Sequence, residues 1–155
     1  MKITVVAMGN RLPDWAEAAC DDYLKRFPPD WRVELKALKA EPREGKPTAA
    51  IMLAEASRIE ACLPRGVRRV IMDERGTRLS SVQLAERAGA WQHDGRDVAL
   101  IIGGADGIDP ALKQTADESI RLSDMTLPHA LARVLLVEQL YRAWSLMHNH
   151  PYHRA

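Results

Sequence analysis

Most of the side chains that could do chemistry lie near the C-terminus. Glu138 and Arg142 stand four residues apart, His129 precedes them, and the terminal "HNHPYHRA" supplies His148, His150, Tyr152, His153 and Arg154. A carboxylate or imidazole can take a proton, a guanidinium can stabilise a developing anion, and a phenol can stack on or hydrogen-bond to a planar ring. Each group also has a plainer reading. Glu138 and Arg142 could be an i,i+4 helix pair worth only about 0.2–0.5 kcal/mol. His129 could merely begin a helix, and the tail could be a frayed end. The H-x-H-x-x-H spacing of His148, His150 and His153 offers imidazoles for a metal. Neither a fourth ligand nor an identifiable base accompanies it, so no metal site is expected.

A second candidate is "LIIGGADGID", residues 100–109, where an apolar run breaks into glycines. Glycines there would let a strand turn sharply into a helix, with Asp109-Pro110 as N-cap and first turn. They would equally let a ligand approach the backbone. The G-x-G-x-x-G fingerprint is not met, and spacing alone leaves both readings open.

The 155 residues form a single domain, 1–155, large enough to fold without disulfide or metal, and 46% hydrophobic and 28% charged residues are ordinary for a globular protein. Cys20 and Cys62 are 42 residues apart with no C-x-x-C spacing, which suits a reducing, cytoplasmic setting. "MKITVVAMGN" is too short an apolar run for a secretory signal or a membrane span and reads as a strand. A net charge of +1 argues against bulk coating of nucleic acid. Local basic clusters remain: Lys36, Lys39, Arg43 and Lys46, then Arg65, Arg68 and Arg69, then the tail.

These groups must be positioned by elements that alternate along the chain. Strand patterns fall at 2–8, 31–38 (Trp31, Val33 and Leu35 on one face), 67–73, 97–104 and 119–123. Helical patterns fall between them: one carrying Trp15, Ala19, Tyr23 and Phe27 at spacing four, one capped by Thr48 and running to about Leu63, one opened by Ser80 or Ser81 and closed by Gly95, and a short one from Pro110 to about Glu118. The fold class is therefore α/β, a mostly parallel sheet with helices on both faces, and ligands bind such sheets beyond the strands' carboxyl ends. The last helix, about Ala130 to Met147, is apolar nearly all round, which predicts burial on two sides, the second against a partner subunit or a cleft.

Four features in order, the "VIMD" strand end, "IIGGADG", "LSDMTLPHALARVLLVEQLYRAW" and "HPYHR", together with the early "MGN..PDW......Y..RFP" pattern, closely resemble the RlmH family of SPOUT-class methyltransferases. That family methylates N3 of a pseudouridine in large-subunit (23S) ribosomal RNA. The resemblance spans essentially the whole chain. It implies a deep C-terminal trefoil knot, a homodimer, S-adenosyl-L-methionine as cofactor, and ribosomal RNA within the ribosome or large subunit as partner, with no membrane. It also implies that Met72, the Gly103-Gly104 turn and the loop Ser123, Asp124, Met125, Thr126, Leu127 and Pro128 wrap the cofactor, a side chain at Gly104 taking space that the cofactor needs. Ala105-Asp106 departs from some relatives and leaves the role of Asp106 open.

On this resemblance, methyl transfer to N3 needs an N3 anion. Glu138 or His129 would remove the proton, Arg142, Arg154 or His153 would stabilise the anion, and Tyr152 would hold the base. Competing functions are methylation of another RNA such as tRNA, and a non-catalytic ribosome-binding factor.

Overall fold

A computed structural model describes residues 1–153. Five parallel strands, β1 (Lys2–Met8), β2 (Arg32–Leu38), β3 (Arg68–Arg78), β4 (Val98–Ile102) and β5 (Glu118–Arg121), lie in the order β2-β1-β4-β3-β5. Five helices connect or follow them: α1 (Asp14–Leu24), α2 (Thr48–Cys62), α3 (Ser81–Asp94), α4 (Pro110–Gln114) and α5 (His129–Met147). The alternation of strand side chains divides the core in two. Ile3, Val5, Val70, Leu100 and Ile102 pack with Leu84, Ala88 and Trp91 of α3 and Leu136 and Leu140 of α5. Val6, Met8, Ile71 and Ile101 pack with Ala56 and Ile59 of α2 and Leu112 of α4. Helices thus cover both faces, as expected.

Local chemistry explains the boundaries. Ser80 closes a full capping box, its hydroxyl accepting from the Gln83 amide at 3.1 Å while the Gln83 side chain accepts from the Ser80 amide at 2.8 Å, and Gly95 ends α3 in the left-handed region at φ 86°. Replacing Ser80 with Ala is expected to cost about 1 kcal/mol, read as a lower urea midpoint at constant slope. Thr48, expected to cap α2, is instead its first helical residue. Pro47 takes the cap position and no side chain caps the helix. The helix of Trp15, Ala19, Tyr23 and Phe27 stops at Leu24, and Trp15 is 53% exposed while Ala16 and Cys20 are buried. Tyr23 and Phe27 turn toward α5 instead, where both contact Tyr141.

β3 runs past the expected strand. Ile120 of β5 pairs first with Met72 and again with Thr77, so residues 73–76 bulge out between two pairings with the same residue. Gly76 sits where a Cβ would fall 2.6 Å from the Ile120 carbonyl carbon and 2.7 Å from its nitrogen. Only a residue without a side chain can cross β5 that closely.

Candidate active site

Beyond the carboxyl ends of β3, β4 and β5 lie two adjoining hollows. The larger, about 770 Å³, is lined by Met72, by residues 73–75 of the β3 bulge, by Gly103–Ile108, by Arg121–Leu127, and by His129, Ala132 and Leu136 of α5. The smaller, about 390 Å³, shares Met72, Ser123, Leu127 and Leu136 with it and is closed by Ser80, Leu84, Leu135 and Gln139. Met72, Gly103, Gly104 and Ser123 through Leu127 therefore meet in one place. Pro128 does not line either hollow. It is the N-cap of α5, with φ −59°.

The Gly loop is held by the protein itself. The Gly107 amide donates to the Gly104 carbonyl at 3.0 Å and Gly107 has φ 88°, a tight turn that suits glycine. A Cβ on Gly103 would lie 2.5 Å from the Ile108 side chain, and one on Gly104 would lie 2.7 Å from a carboxylate oxygen of Glu55. The missing side chain at Gly104 makes room for buried Glu55, while Gly104 itself lines the larger hollow. The β5–α5 loop is tied down by Asp124, which accepts from Arg121 at 2.8 Å and faces Arg78 at 3.2 Å. The hydrogen bond from Arg121, with help from Arg78, holds the Asp124 carboxyl below its ordinary range. Ser123 Oγ accepts from the Met125 amide at 2.9 Å, and Met125 itself is 80% exposed.

The proposed catalytic groups separate within one chain. His129 lines the larger hollow, whereas Glu138, Arg142, Tyr152 and His153 line neither. Glu138 lies nine residues along α5, about 14 Å from His129, and Arg142 about 20 Å. Buried Glu138 Oε1 accepts from Arg142 Nε at 3.0 Å and Nη2 at 2.6 Å and from the Tyr152 hydroxyl at 2.9 Å. Gln139 donates to its other oxygen at 2.8 Å. Arg142 also stands 5.3 Å from the Tyr152 ring centroid. The i,i+4 pair is real but part of a larger dock.

The tail is not frayed over its described residues. Tyr152 packs edge-on to Tyr141 and Tyr23, its hydroxyl reaches the Tyr23 hydroxyl at 3.2 Å, and His153 Nδ1 lies 2.7 Å from Ser145 Oγ. Burial first, then hydrogen bonds with Tyr23 and Glu138, push the Tyr152 phenol well above its ordinary value. A raised phenol pKa contributes stability below the unfolded value near 10 and loses it as pH rises further, so this dock persists through neutral pH. Arg154 lies outside the described residues. His148 Nδ1 contacts the Trp144 carbonyl at 2.9 Å and His150 Nδ1 accepts from the Tyr152 amide at 3.2 Å. No group of three or more His, Cys, Asp or Glu placed to hold a metal ion occurs among the described residues.

The second side of α5 is also clearer. Its C-terminal half is covered by other parts of this chain, Tyr23, Phe27 and Tyr152 all packing on Tyr141, while Leu131 and Leu135 in the N-terminal half stay 38% and 37% exposed. No helix among the described residues is long and apolar enough to cross a membrane.

Residues 1–153 match a family model described as "Predicted SPOUT methyltransferase". The chain belongs to the SPOUT methyltransferase family. Among its relatives, the ribosomal RNA large subunit methyltransferase H of Methylibium petroleiphilum is 68% identical over 155 residues, and those of Verminephrobacter eiseniae and Leptothrix cholodnii are 62% and 61% identical, each covering 99% of both chains. SPOUT membership fits the parallel sheet and the grouping of strand-end loops around one hollow. Two features of this SPOUT chain escaped sequence reasoning. Gly76 stands alone in polar "DERGTR", where nothing announces a backbone crossing. Glu55 lies mid-helix, 49 positions from Gly104, and only the fold joins them.

Proposed function

We propose that this chain transfers a methyl group from S-adenosyl-L-methionine to N3 of a pseudouridine in large-subunit ribosomal RNA. The observation that carries the reading is the 770 Å³ hollow formed by Met72, the Gly loop and residues 121–127, in a full-length relative of ribosomal RNA large subunit methyltransferases H. Its size suits one cofactor-sized ligand. Apolar walls from Met72, Ile102, Leu122 and Leu136 suit an adenine, and Asp73 and Lys113 supply charged groups for a ribose and an amino-acid end. When bound, the cofactor supplies an activated methyl electrophile.

The chain's own residues then orient the base and manage its N3 proton. Both oxygens of Glu138 are already engaged by Arg142, Tyr152 and Gln139. Glu138 therefore holds Arg142 and Tyr152 in place, and His129, beside the hollow, takes the proton. Arg142, His153 and Arg154 stabilise the anion, and Tyr152 stacks on the base. Because His129 and Arg142 are about 20 Å apart along one helix, a complete site requires two copies, the tail of one serving the hollow of the other. The exposed Leu131 and Leu135 favour such a homodimer. The C-terminal segment forms the family's trefoil knot, and the close crossing at Gly76 suits a threaded chain. The enzyme acts in the cytoplasm, on the ribosome or its large subunit.

The direct test is mass spectrometry of ribosomal RNA from cells lacking the protein, followed by tritiated methyl transfer to those ribosomes and to total tRNA. Loss of one methyl on a pseudouridine, restored on ribosomes alone, is expected. Labelled tRNA, or no transfer at all, contradicts the reading. Separately, Leu131→Glu is expected to convert a dimer to a monomer at micromolar concentration with its helical circular dichroism retained. Light scattering that gives a monomer for the wild type refutes the dimer.

A further inference from the structure

The β2–α2 loop, residues 39–47, grips the Gly loop from outside. Arg43 forks onto Asp106 across 63 residues of sequence, with Nη1 to Oδ2 at 2.7 Å and Nη2 to Oδ1 at 2.9 Å. The Arg43 side chain is 58% exposed, whereas that of Asp106 is only 12% exposed. Beneath this clasp, Glu55 of α2 is 5% exposed, and its Oε2 accepts from the Glu41 amide at 3.1 Å. Its other oxygen occupies the place of the missing Gly104 side chain. The loop's root is fixed as well: Arg58 donates to the Glu41 carboxylate at 2.6 Å and to the Lys39 carbonyl at 3.0 Å, and Lys46 pairs with Glu41.

A buried carboxylate is an inefficient way to stabilise a fold, and a half-exposed ion pair adds little. What these groups do supply is geometry, since a bidentate pair fixes orientation and a filled space behind Gly104 forbids its backbone from retreating. The backbone so fixed is the wall of the larger hollow formed by residues 103–107.

We propose that residues 39–47 form a strap that sets the Gly loop for the methyl donor, with Glu55 and Arg43 as positioning residues acting through Gly104 and Asp106. The proposal rests on the reading that this hollow takes S-adenosyl-L-methionine. Neither Glu55 nor Arg43 touches the donor in this arrangement. Both act on where the loop's backbone groups stand, and small displacements of such groups are costly to binding and alignment.

The test uses the full chain and S-adenosylhomocysteine as probe, with affinity measured by calorimetry and KM for the donor measured on ribosomes. Glu55→Gln, which keeps the shape, and Arg43→Met, at the surface, are each expected to weaken binding and raise the donor KM about tenfold while kcat at saturation changes less than about twofold. The exchange Arg43→Asp with Asp106→Arg is expected to restore most of the affinity. High salt should weaken binding by the wild type more than by Arg43→Met, because the clasp is exposed to screening. Wild-type affinity in both variants, or a lowered melting temperature with unchanged affinity, overturns the strap alone. Failure of the wild type to bind the probe overturns the cofactor reading and the strap with it.

Discussion

Removal of residues 151–155 is expected to lower methyl transfer to ribosomes by about 100-fold or more, the scale on which placed acid–base and charge-stabilising groups act. The melting temperature should fall by only a few degrees. The described residues of the deleted tail contribute a half-buried Tyr152 and a hydrogen bond from His153, about 1–2 kcal/mol of packing and hydrogen bonding. Affinity for S-adenosylhomocysteine should hold, because Tyr152 and His153 do not line the hollow. The three readouts separate the possibilities. Full turnover by the truncated protein returns the tail to a packing role, and lost cofactor binding shows that the deletion disturbed α5 itself. Tyr152→Phe refines the result: it removes the hydroxyl from Glu138 and Tyr23 while keeping the ring against Tyr141.

Gly76→Ala should be the most damaging single-methyl change outside the Gly loop. The added carbon would lie within 3.0 Å of three backbone atoms of Ile120 and Arg121, and a backbone inside a sheet cannot move aside as a side chain can. The expected cost is about 3 kcal/mol or more, a drop in melting temperature of about 6–12 °C for a chain of this size. Gly66→Ala is the control. Nothing lies within 4 Å of a Cβ there, so its cost is confined to the positive φ of 78°. Equal melting temperatures for the two variants would mean that the crossing over β5 is looser than its geometry indicates.

What could be read from the sequence was what repeats locally. Continuous apolar runs marked β1 and β4, the alternation of Trp31, Val33 and Leu35 marked β2, the Ser80 and Gly95 signals bounded α3, and the girth of α5 announced an unusually buried helix. The β3 bulge could not be read, because residues 73–78 carry no apolar side chain and only Thr77 and Arg78 of them pair with β5. Pro47 took the cap position of α2, so Thr48 became its first helical residue instead. In the site, residue types drew attention to the Gly loop and the tail, the family resemblance made them candidates, and neither showed what each rests on. Glu55 behind Gly104, Arg43 on Asp106 and Tyr23 on Tyr152 are pairings across 49, 63 and 129 positions of sequence. Such distances are bridged by strand order, and the order β2-β1-β4-β3-β5 leaves no local mark.

α5 also works as a ruler. One end, at His129 and Ala132, borders the hollow, and the other, from Glu138 to Ser145, carries the dock for the tail. The rod between them is an uninterrupted helix, so its length in residues sets how far apart the hollow and the tail's dock stand within one chain, at about 1.5 Å per residue. One residue inserted between Leu136 and Glu138 would lengthen that span only slightly, yet would swing the dock by about 100° around the axis. A substitution on the helix surface leaves that geometry in place, whereas an insertion does not.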